Sequence, residues 1–178
     1  MPADMKETIA EAAKKLIVEK RVKKLTVKDV VEECQITRQT FYYHFDDIPD
    51  LLRWMLKREE ARLYQTTEAI HDGEAVLKYF FQLAISAGPD VRRGMQTNYR
   101  EEFQKLLYEY CYHFLESGVE QSGKYAGCSH ADKDLVLRYH THAMLGILQD
   151  WKDSDTAHLD ETIHKLYCLM TKAELPTD

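Results

Sequence analysis

The chain has 178 residues, of which 44% are hydrophobic and 30% are charged. It is long enough for one or two compact domains and too hydrophobic to be disordered. No apolar run approaches the ~20 residues that a membrane-spanning helix needs, and the first residues lack the apolar core of a signal peptide. We therefore expect a cytoplasmic protein with no membrane partner. Four widely spaced cysteines without a CxxC pair favour reduced thiols over disulfides or a zinc site.

The net charge of −6 is unevenly distributed along the chain. Residues 1–45 carry nine Lys or Arg and seven Asp or Glu, a net of +2, which leaves −8 for residues 46–178. Between residues 14 and 28, seven basic residues accompany only Glu19, a local excess of +6. Such a cluster favours a phosphate-binding surface, although a solvated helix face is the common alternative.

The first 45 residues predict three helices. Apolar residues at helical spacing indicate a first helix from about Asp4 to Lys20. Thr26 and Asp29 form a capping-box pattern at the start of a second helix, and Thr37 can cap a third after a turn of about three residues. Phe41 and Phe45 are four residues apart and should face inward, which leaves Arg38, Gln39, Tyr42 and Tyr43 available to a DNA groove. This is the pattern of a helix-turn-helix unit.

The remaining sequence also has helical rather than alternating periodicity, so we expect an all-α fold. A linking helix is predicted over 48–71, followed by a break at Asp72-Gly73 and a helix that stops at Gly88-Pro89. Further helices are predicted over about 97–121, 130–151 and 158–172, with a polar break at 152–156. The predicted domains are a three-helix helix-turn-helix DNA-binding domain, 1–47, and a helical ligand-binding and dimerisation domain, 48–178.

The motif T-x-x-x-V, followed by ITRQTFYYHF and then DLL, resembles TetR-type transcriptional regulators over residues 4 to about 60. Beyond that range the similarity is only one of helical layout. The TFYYHFDDIPDLL run is also similar to the branch that contains activators of dihydroxyacetone kinase operons. The resemblance implies a homodimer that binds a palindromic double-stranded DNA operator through two N-terminal domains, while the C-terminal domain dimerises and binds an effector.

Carried onto this sequence, the resemblance implies two groups of DNA-binding residues. Those at positions that approach bases or nearby phosphates are Lys28, Arg38, Gln39, Thr40 and Tyr43, and those at positions that commonly contact the backbone are Thr26, Thr37, Tyr42 and His44. The chemistry agrees, because Arg can bond guanine bidentately, Gln suits adenine, and hydroxyls at helix starts suit phosphate.

The sequence departs from the family pattern at two positions. The family usually has Gly where this chain has Gln35, so we expect Gln35 to adopt a left-handed backbone conformation. It usually has Lys where this chain has Ile48, and Asp46 and Asp47 lie beside that position. We therefore expect weak DNA binding at physiological salt, with a backbone N–H at the start of the fourth helix as the remaining phosphate ligand.

Two sets of residues are candidates for the functions of the second domain. Aromatic residues with phenolic hydroxyls can line an effector pocket, although core packing explains them equally well; the candidates are Tyr79, Phe103, Tyr110, Phe114 and Tyr139. The last two long helices suit a four-helix dimer interface, in which Gly146 permits close approach; its candidates are Leu145, Gly146, Ile163, Leu166 and Met170. A co-regulatory protein in place of a small-molecule effector is the alternative.

An enzymatic function is disfavoured. The sequence has no Gly-rich phosphate loop and no nucleophile elbow, and we predict no catalytic residues and no cofactor. His140 and His142 point to different sides of a helix, and Cys128 with His130 supplies only two ligands, so we predict no metal site. An enzyme would require His130, His140, His142 or His164 to converge with a carboxylate in one cleft.

Overall fold

The computed structural model describes residues 4–172, which form nine helices and no strand. The predicted all-α class is therefore confirmed for the described part of the chain. The helices are α1 Met5–Val18, α2 Val27–Cys34, α3 Arg38–His44, α4 Ile48–Thr67, α5 Gly73–Gly94, α6 Arg100–Ser122, α7 His130–Gln149, α8 Asp153–Ala157 and α9 Leu159–Lys172.

The described residues divide into two compact units. Residues 4–62 and 87–107 form the first, here called the N-terminal unit, and residues 63–86 and 108–172 form the second, the C-terminal unit. The chain passes from one to the other within α4, α5 and α6. The predicted domain boundary between residues 47 and 48 stays a prediction, because the two compact units do not show which segment functions as an independent domain.

The core of the N-terminal unit explains how its three short helices are held. Ile9 and Ala13 of α1 and Val30 of α2 are fully buried together with Phe41 of α3. Ile48 and Leu51 extend the same core into α4. Residues in this core lose essentially all their solvent exposure, so each large side chain stabilises the fold by roughly 1.5–3 kcal/mol. The first three predicted helices are thus confirmed, with α1 slightly shorter than expected.

The C-terminal unit has a core built around aromatic rings. The ring of Phe80 stacks on Phe114 with centroids 4.1 Å apart and on Tyr110 at 5.6 Å. Phe81 is fully buried against Trp151, with centroids 5.3 Å apart. Burial in this core raises the pKa of the Cys111 thiol to about 12, so that thiol stays protonated at neutral pH.

The predicted stop at Gly88-Pro89 is wrong, because α5 continues through both residues to Gly94. A proline inside a helix removes one backbone hydrogen bond and crowds the preceding turn. The last turns of α5 make tertiary contacts beyond this proline: the Asp90 carboxylate lies 3.7 Å from Lys14 Nζ, and Gly94 packs on the Phe103 ring. A Cβ on Gly94 would approach that ring to 2.5 Å.

Other helix boundaries differ by smaller amounts. The linking helix α4 ends at Thr67, earlier than predicted, and the Thr67 hydroxyl donates to the carbonyl of Leu63 at 2.9 Å. The polar break predicted at 152–156 instead contains the short helix α8, at whose start the Lys152 N–H donates to Asp155 Oδ2 at 3.0 Å and the Asp155 N–H donates to the Lys152 carbonyl at 3.0 Å. The polar residues that begin a short helix are of the same types that favour loops, so the sequence alone does not distinguish the two.

Candidate nucleic-acid interface

The start of α2 is fixed by the capping box that the sequence predicted. Thr26 Oγ1 accepts a hydrogen bond from the N–H of Asp29 at 3.2 Å, and Asp29 Oδ2 accepts one from the N–H of Thr26 at 3.0 Å. The Thr26 hydroxyl also lies 2.6 Å from that carboxylate oxygen. Because its proton is directed to Asp29, the Thr26 hydroxyl is not free to donate to a phosphate.

The turn between α2 and α3 uses Gln35 in the left-handed region, with φ 57° and ψ 40°. This confirms the expected conformation. The Gln35 N–H donates to the carbonyls of Val31 and Glu32, and the Ile36 N–H donates to Val31 at 3.0 Å. These bonds satisfy the last carbonyls of α2, as a left-handed cap normally does. The helix-turn-helix geometry is therefore reached without glycine, at some cost in backbone strain.

The third helix is capped at one end and anchored by two rings. Thr37 Oγ1 accepts from the N–H of Thr40 at 3.1 Å, and the two hydroxyls are 2.9 Å apart. Phe41 is fully buried and Phe45 is 2% exposed, with ring centroids 5.9 Å apart. The prediction that both rings face inward is confirmed. They fix the rotation of α3 about its axis and so determine which side chains point outward.

The outward face of α3 carries four polar or aromatic side chains. Tyr43 is 84% exposed and Tyr42 56% exposed, and Arg38 and Gln39 are also exposed. Within residues 4–172 the polar ends of these four have no recorded hydrogen-bond or ion-pair partner. Donors and acceptors left free on a helix of this size can read base edges in a major groove. We call Arg38, Gln39, Tyr42 and Tyr43 the α3 outer face.

The other predicted DNA-binding residues are less available. Lys28 lies 3.8 Å from the carboxylate of Glu32, the hydroxyls of Thr37 and Thr40 bond each other, and His44 is half-buried. The Tyr43 ring meets the His44 ring edge-to-face at 4.9 Å, so His44 supports Tyr43 from the side. His44 therefore has a packing role, which is the alternative to a DNA contact at this position.

Carboxylates pair with part of the basic cluster of residues 14–28. Glu33 of α2 pairs with Lys15 at 2.8 Å and also with Lys20, while Lys14 pairs with Asp90. Hydrogen bonds from Lys15 and Lys20 lower the pKa of Glu33, and Glu33 raises the pKa of Lys15. The exposed cations of the cluster without a recorded partner in the described residues are Arg21, Lys23 and Lys24.

The start of α4 is poorly suited to phosphate. Ile48 is 2% exposed and packs in the core of the N-terminal unit. At this position the family pattern has a cation. The N–H of Asp50 donates to Asp47 Oδ1 at 2.7 Å, and the N–H of Asp46 donates to Asp50 Oδ2 at 3.2 Å. Carboxylates thus already cap this helix, and their charge repels phosphate.

The five residues considered for an effector pocket do not lie together. Tyr79, Tyr110 and Phe114 contribute to the core of the C-terminal unit, whereas Phe103 packs in the core of the N-terminal unit and Tyr139 is 69% exposed. A depression in the C-terminal unit is lined by Lys78, Gln82 and residues 156–161, but it is open to solvent. These five aromatic side chains therefore do not enclose a common apolar cavity.

The candidate dimer residues are also divided. Ile163 is 1% exposed inside the core of its own unit, and Leu145, Leu166 and Met170 are half-buried against that core. Gly146 is exposed, and a Cβ built there would meet no atom within 4 Å. The large apolar side chains that remain exposed in the described part of this unit are Leu135, Tyr139 and Leu169.

One histidine does meet a carboxylate. His164 Nδ1 lies 3.0 Å from Glu74 Oε2, and its Nε2 lies 3.8 Å from the Sγ of Cys168. Cys168 is only 3% exposed, so the thiol is closed to a substrate. Between residues 4 and 172, no three His, Cys, Asp or Glu side chains are grouped to hold a metal ion. The described helices include none that is long and apolar enough to cross a membrane.

Comparison with known families agrees with this arrangement. Residues 9–54 match the model of bacterial regulatory proteins of the tetR family, and residues 91–172 match a transcriptional regulator C-terminal region. The chain belongs to the TetR family. It is accordingly a DNA-binding transcriptional regulator and not an enzyme. No curated protein sequence matches the chain.

Solved structures with a TetR-like fold extend the likeness over nearly the whole chain. The dihydroxyacetone kinase operon activator DhaS has a TM-score of 0.65 at 18% identity, with 94% of each chain covered. The fatty acid degradation regulator FadR from Bacillus halodurans has a TM-score of 0.58 at 15% identity, with 96% of each chain covered. A putative fatty acid metabolism regulator of Clostridium perfringens has a TM-score of 0.55 at 13% identity, covering 96% of this chain and 100% of that one. At these identities the likeness concerns the fold alone.

Proposed function

We propose that this TetR-family regulator binds a palindromic operator as a homodimer and reads bases with the α3 outer face. The observation that carries the proposal is the exposure of Arg38, Gln39, Tyr42 and Tyr43 on a helix whose rotation is fixed by Phe41 and Phe45. A bidentate Arg–guanine pair discriminates against a wrong base by roughly 1–3 kcal/mol. Phosphate contacts then position the helix and make the affinity depend on salt.

The apolar face of α7 supports a homodimer. Leu135, Tyr139, His142 and Gly146 are exposed and follow one another at intervals of four, three and four residues, so they lie on one side of the helix. Large exposed apolar side chains on one face mark an interaction surface. The open space at Gly146 allows a second helix to approach closely, and a two-fold axis would pair this face with itself. Leu169 of α9 is a further exposed apolar side chain of the same unit.

Regulation by an effector is the second part of the proposal. A ligand changes DNA affinity only through a difference in its affinity for the two conformational states, typically a coupling of about 1–3 kcal/mol. Tyr79, Tyr110 and Phe114 lie within the aromatic core of the C-terminal unit, where stacked rings fill the space around Phe80. A small-molecule effector in this core would have to displace a ring to create its own cavity.

The filled core favours the alternative, in which a co-regulatory protein controls the regulator as a transcriptional activator. A partner protein needs an accessible surface and no internal cavity. The name of the structural neighbour DhaS describes that protein as an operon activator, and this chain shares its fold. Calorimetric titration with small molecules would detect control by an effector. Pull-down of partner proteins, repeated with the exposed faces blocked, would detect control by a co-regulatory protein.

The direct test is selection of binding sites from random-sequence duplex DNA by the purified protein. We expect a palindrome whose half-sites are separated by about one helical turn, because the two subunits are related by two-fold symmetry. The selection is best made at low salt, since the carboxylates at the start of α4 oppose phosphate binding. Recovery of no common sequence would contradict the proposal.

A further inference from the structure

The connection between α5 and α6 holds the loop that precedes α2. The backbone N–H of Asn98 donates to the carbonyl oxygen of Lys23 at 3.0 Å. The side-chain Oδ1 of Asn98 accepts from the N–H of Leu25 at 2.8 Å. These two bonds lie on either side of Lys24, so a single residue fixes the backbone of three loop residues from a point far along the chain.

Asn98 is itself held firmly enough to act as a fixed point. The hydroxyl of the preceding Thr97, which is 7% exposed, donates to the Gly94 carbonyl at 2.7 Å and accepts from the N–H of Tyr99 at 3.2 Å. Gly94 packs directly against the Phe103 ring. Burial raises the pKa of Tyr99, and a hydrogen bond from the Asn98 side chain partly opposes this shift. These contacts between neighbouring residues fix the local conformation of the connection around Asn98.

The held loop presents two cations beside the DNA-binding helices. Leu25 is 1% exposed and anchors the loop in the core, and the next residue, Thr26, caps α2. Lys23 and Lys24 are exposed and have no recorded ion-pair partner in the described residues. In this respect they differ from Lys15 and Lys20, which share the carboxylate of Glu33 as an ion-pair partner. A fixed backbone limits the directions in which these two ammonium groups can point.

We propose that Asn98 is a positioning residue for DNA binding: it holds the loop 23–25 so that Lys23 and Lys24 contact the phosphates beside the bases read by α3. The inference rests on the proposed DNA-binding mode. Asn98 is exposed, so water can replace its side-chain oxygen when it is removed. Removal of the side chain therefore frees the N–H of Leu25 from a fixed protein partner, so the loop loses one of its two bonds to Asn98.

The first test compares Asn98→Ala with wild type in the full chain. Both proteins are titrated, at several salt concentrations, with the duplex recovered by selection. We expect affinity to fall about fivefold, the usual effect of one hydrogen bond. The slope of log affinity against log salt should become shallower by about 1 to 2, as for the loss of one or two phosphate contacts. Gln96→Ala is the matched control, because it removes a neighbouring exposed amide without a recorded side-chain partner in the described residues.

The second test is a double-mutant cycle with Lys23→Ala/Lys24→Ala. If Asn98 acts through these lysines, Asn98→Ala causes no further loss of affinity or of salt slope once they are absent. Additive losses, or an unchanged affinity of Asn98→Ala, would overturn the inference. The proposed DNA-binding function would still stand in that case, provided that the wild-type protein binds the selected duplex. Failure of the wild-type protein to bind any duplex, selected or random, would overturn both. Denaturant unfolding of each variant identifies any loss that comes from folding.

Discussion

Two exposed surfaces of this chain carry tyrosines, and their neighbours distinguish them. On α3, Tyr42 and Tyr43 lie beside Arg38 and Gln39, whose hydrogen-bonding groups are free. On α7, Tyr139 lies on the same face as Leu135 and the open position at Gly146. An exposed ring beside cations and amides suits a groove of DNA, whereas an exposed ring beside aliphatic groups suits another apolar surface. Exposure alone therefore does not identify the partner.

Charges on the α7 face should have the largest effect and should act on dimerisation. In Leu135→Glu/Tyr139→Glu, two carboxylates in each subunit would be forced into the proposed interface. We expect dimerisation to weaken by at least about 3 kcal/mol, because unpaired buried charges are costly. Analytical ultracentrifugation measures the change. Gln121→Glu adds a charge at an exposed position on α6 and should leave the dimer intact. If the wild-type protein were a monomer, the α7 face would not be a dimer interface.

Truncation of the α3 outer face should act on DNA binding and not on dimerisation. For Arg38→Ala/Tyr43→Ala we expect a loss of about 2–4 kcal/mol in operator binding, since each base contact contributes roughly 1–3 kcal/mol. Fluorescence anisotropy at fixed salt measures the loss. Lys57→Ala, which removes an exposed cation from α4, is the matched control for net charge. Unchanged affinity of the double variant would mean that α3 does not read the operator.

Relief of the left-handed turn should stabilise the N-terminal unit without altering either surface. Gln35→Gly removes the strain of φ 57°, and we expect the free energy of unfolding to rise by about 0.5–1 kcal/mol. Urea denaturation gives the value. Gln35→Ala keeps the strained backbone and should show no comparable gain, which separates backbone relief from loss of the side chain. A destabilised glycine variant would mean that the glutamine side chain contributes more than its conformation costs.

The ion pairs of Glu33 should have the smallest effect, and that effect should depend on pH. Lys15 and Lys20 lower the pKa of Glu33, so its stabilisation is present above the unfolded pKa and is lost as pH falls through the lower folded pKa. Glu33→Gln should therefore be less stable than wild type at neutral pH and equal to it in acid. Denaturant unfolding at both pH values checks this. A difference that persists in acid would indicate packing instead of charge.

Local signals in the sequence predicted the recognition unit well. Thr26 and Asp29 are three residues apart, and Phe41 and Phe45 are four apart, so capping and helical rotation follow from neighbouring residues. The left-handed conformation of Gln35 was expected from the resemblance, because the family usually has glycine at this turn position. These features depend on short-range geometry, which the order of residues nearly determines.

Features that depend on distant partners were not predictable. The neutralisation of Lys14 requires Asp90, and the hold on Leu25 requires Asn98. The sequence placed Phe103 and Tyr139 on predicted helices, but it did not show which core, if any, each ring faces. The continuation of α5 through Pro89 also went unpredicted, because Gly-Pro is a strong local signal for a helix end and the contact of Gly94 with the Phe103 ring is not visible in the sequence.

The assignment of base reading to α3 is tested most directly by repeating the binding-site selection with Arg38→Ala. We expect the variant to recover a palindrome with the same half-site spacing as wild type, but with relaxed preference at one base pair in each half-site. The spacing should persist because the α7 face is unchanged. Recovery of an identical sequence by both proteins, with no position relaxed, would contradict the account.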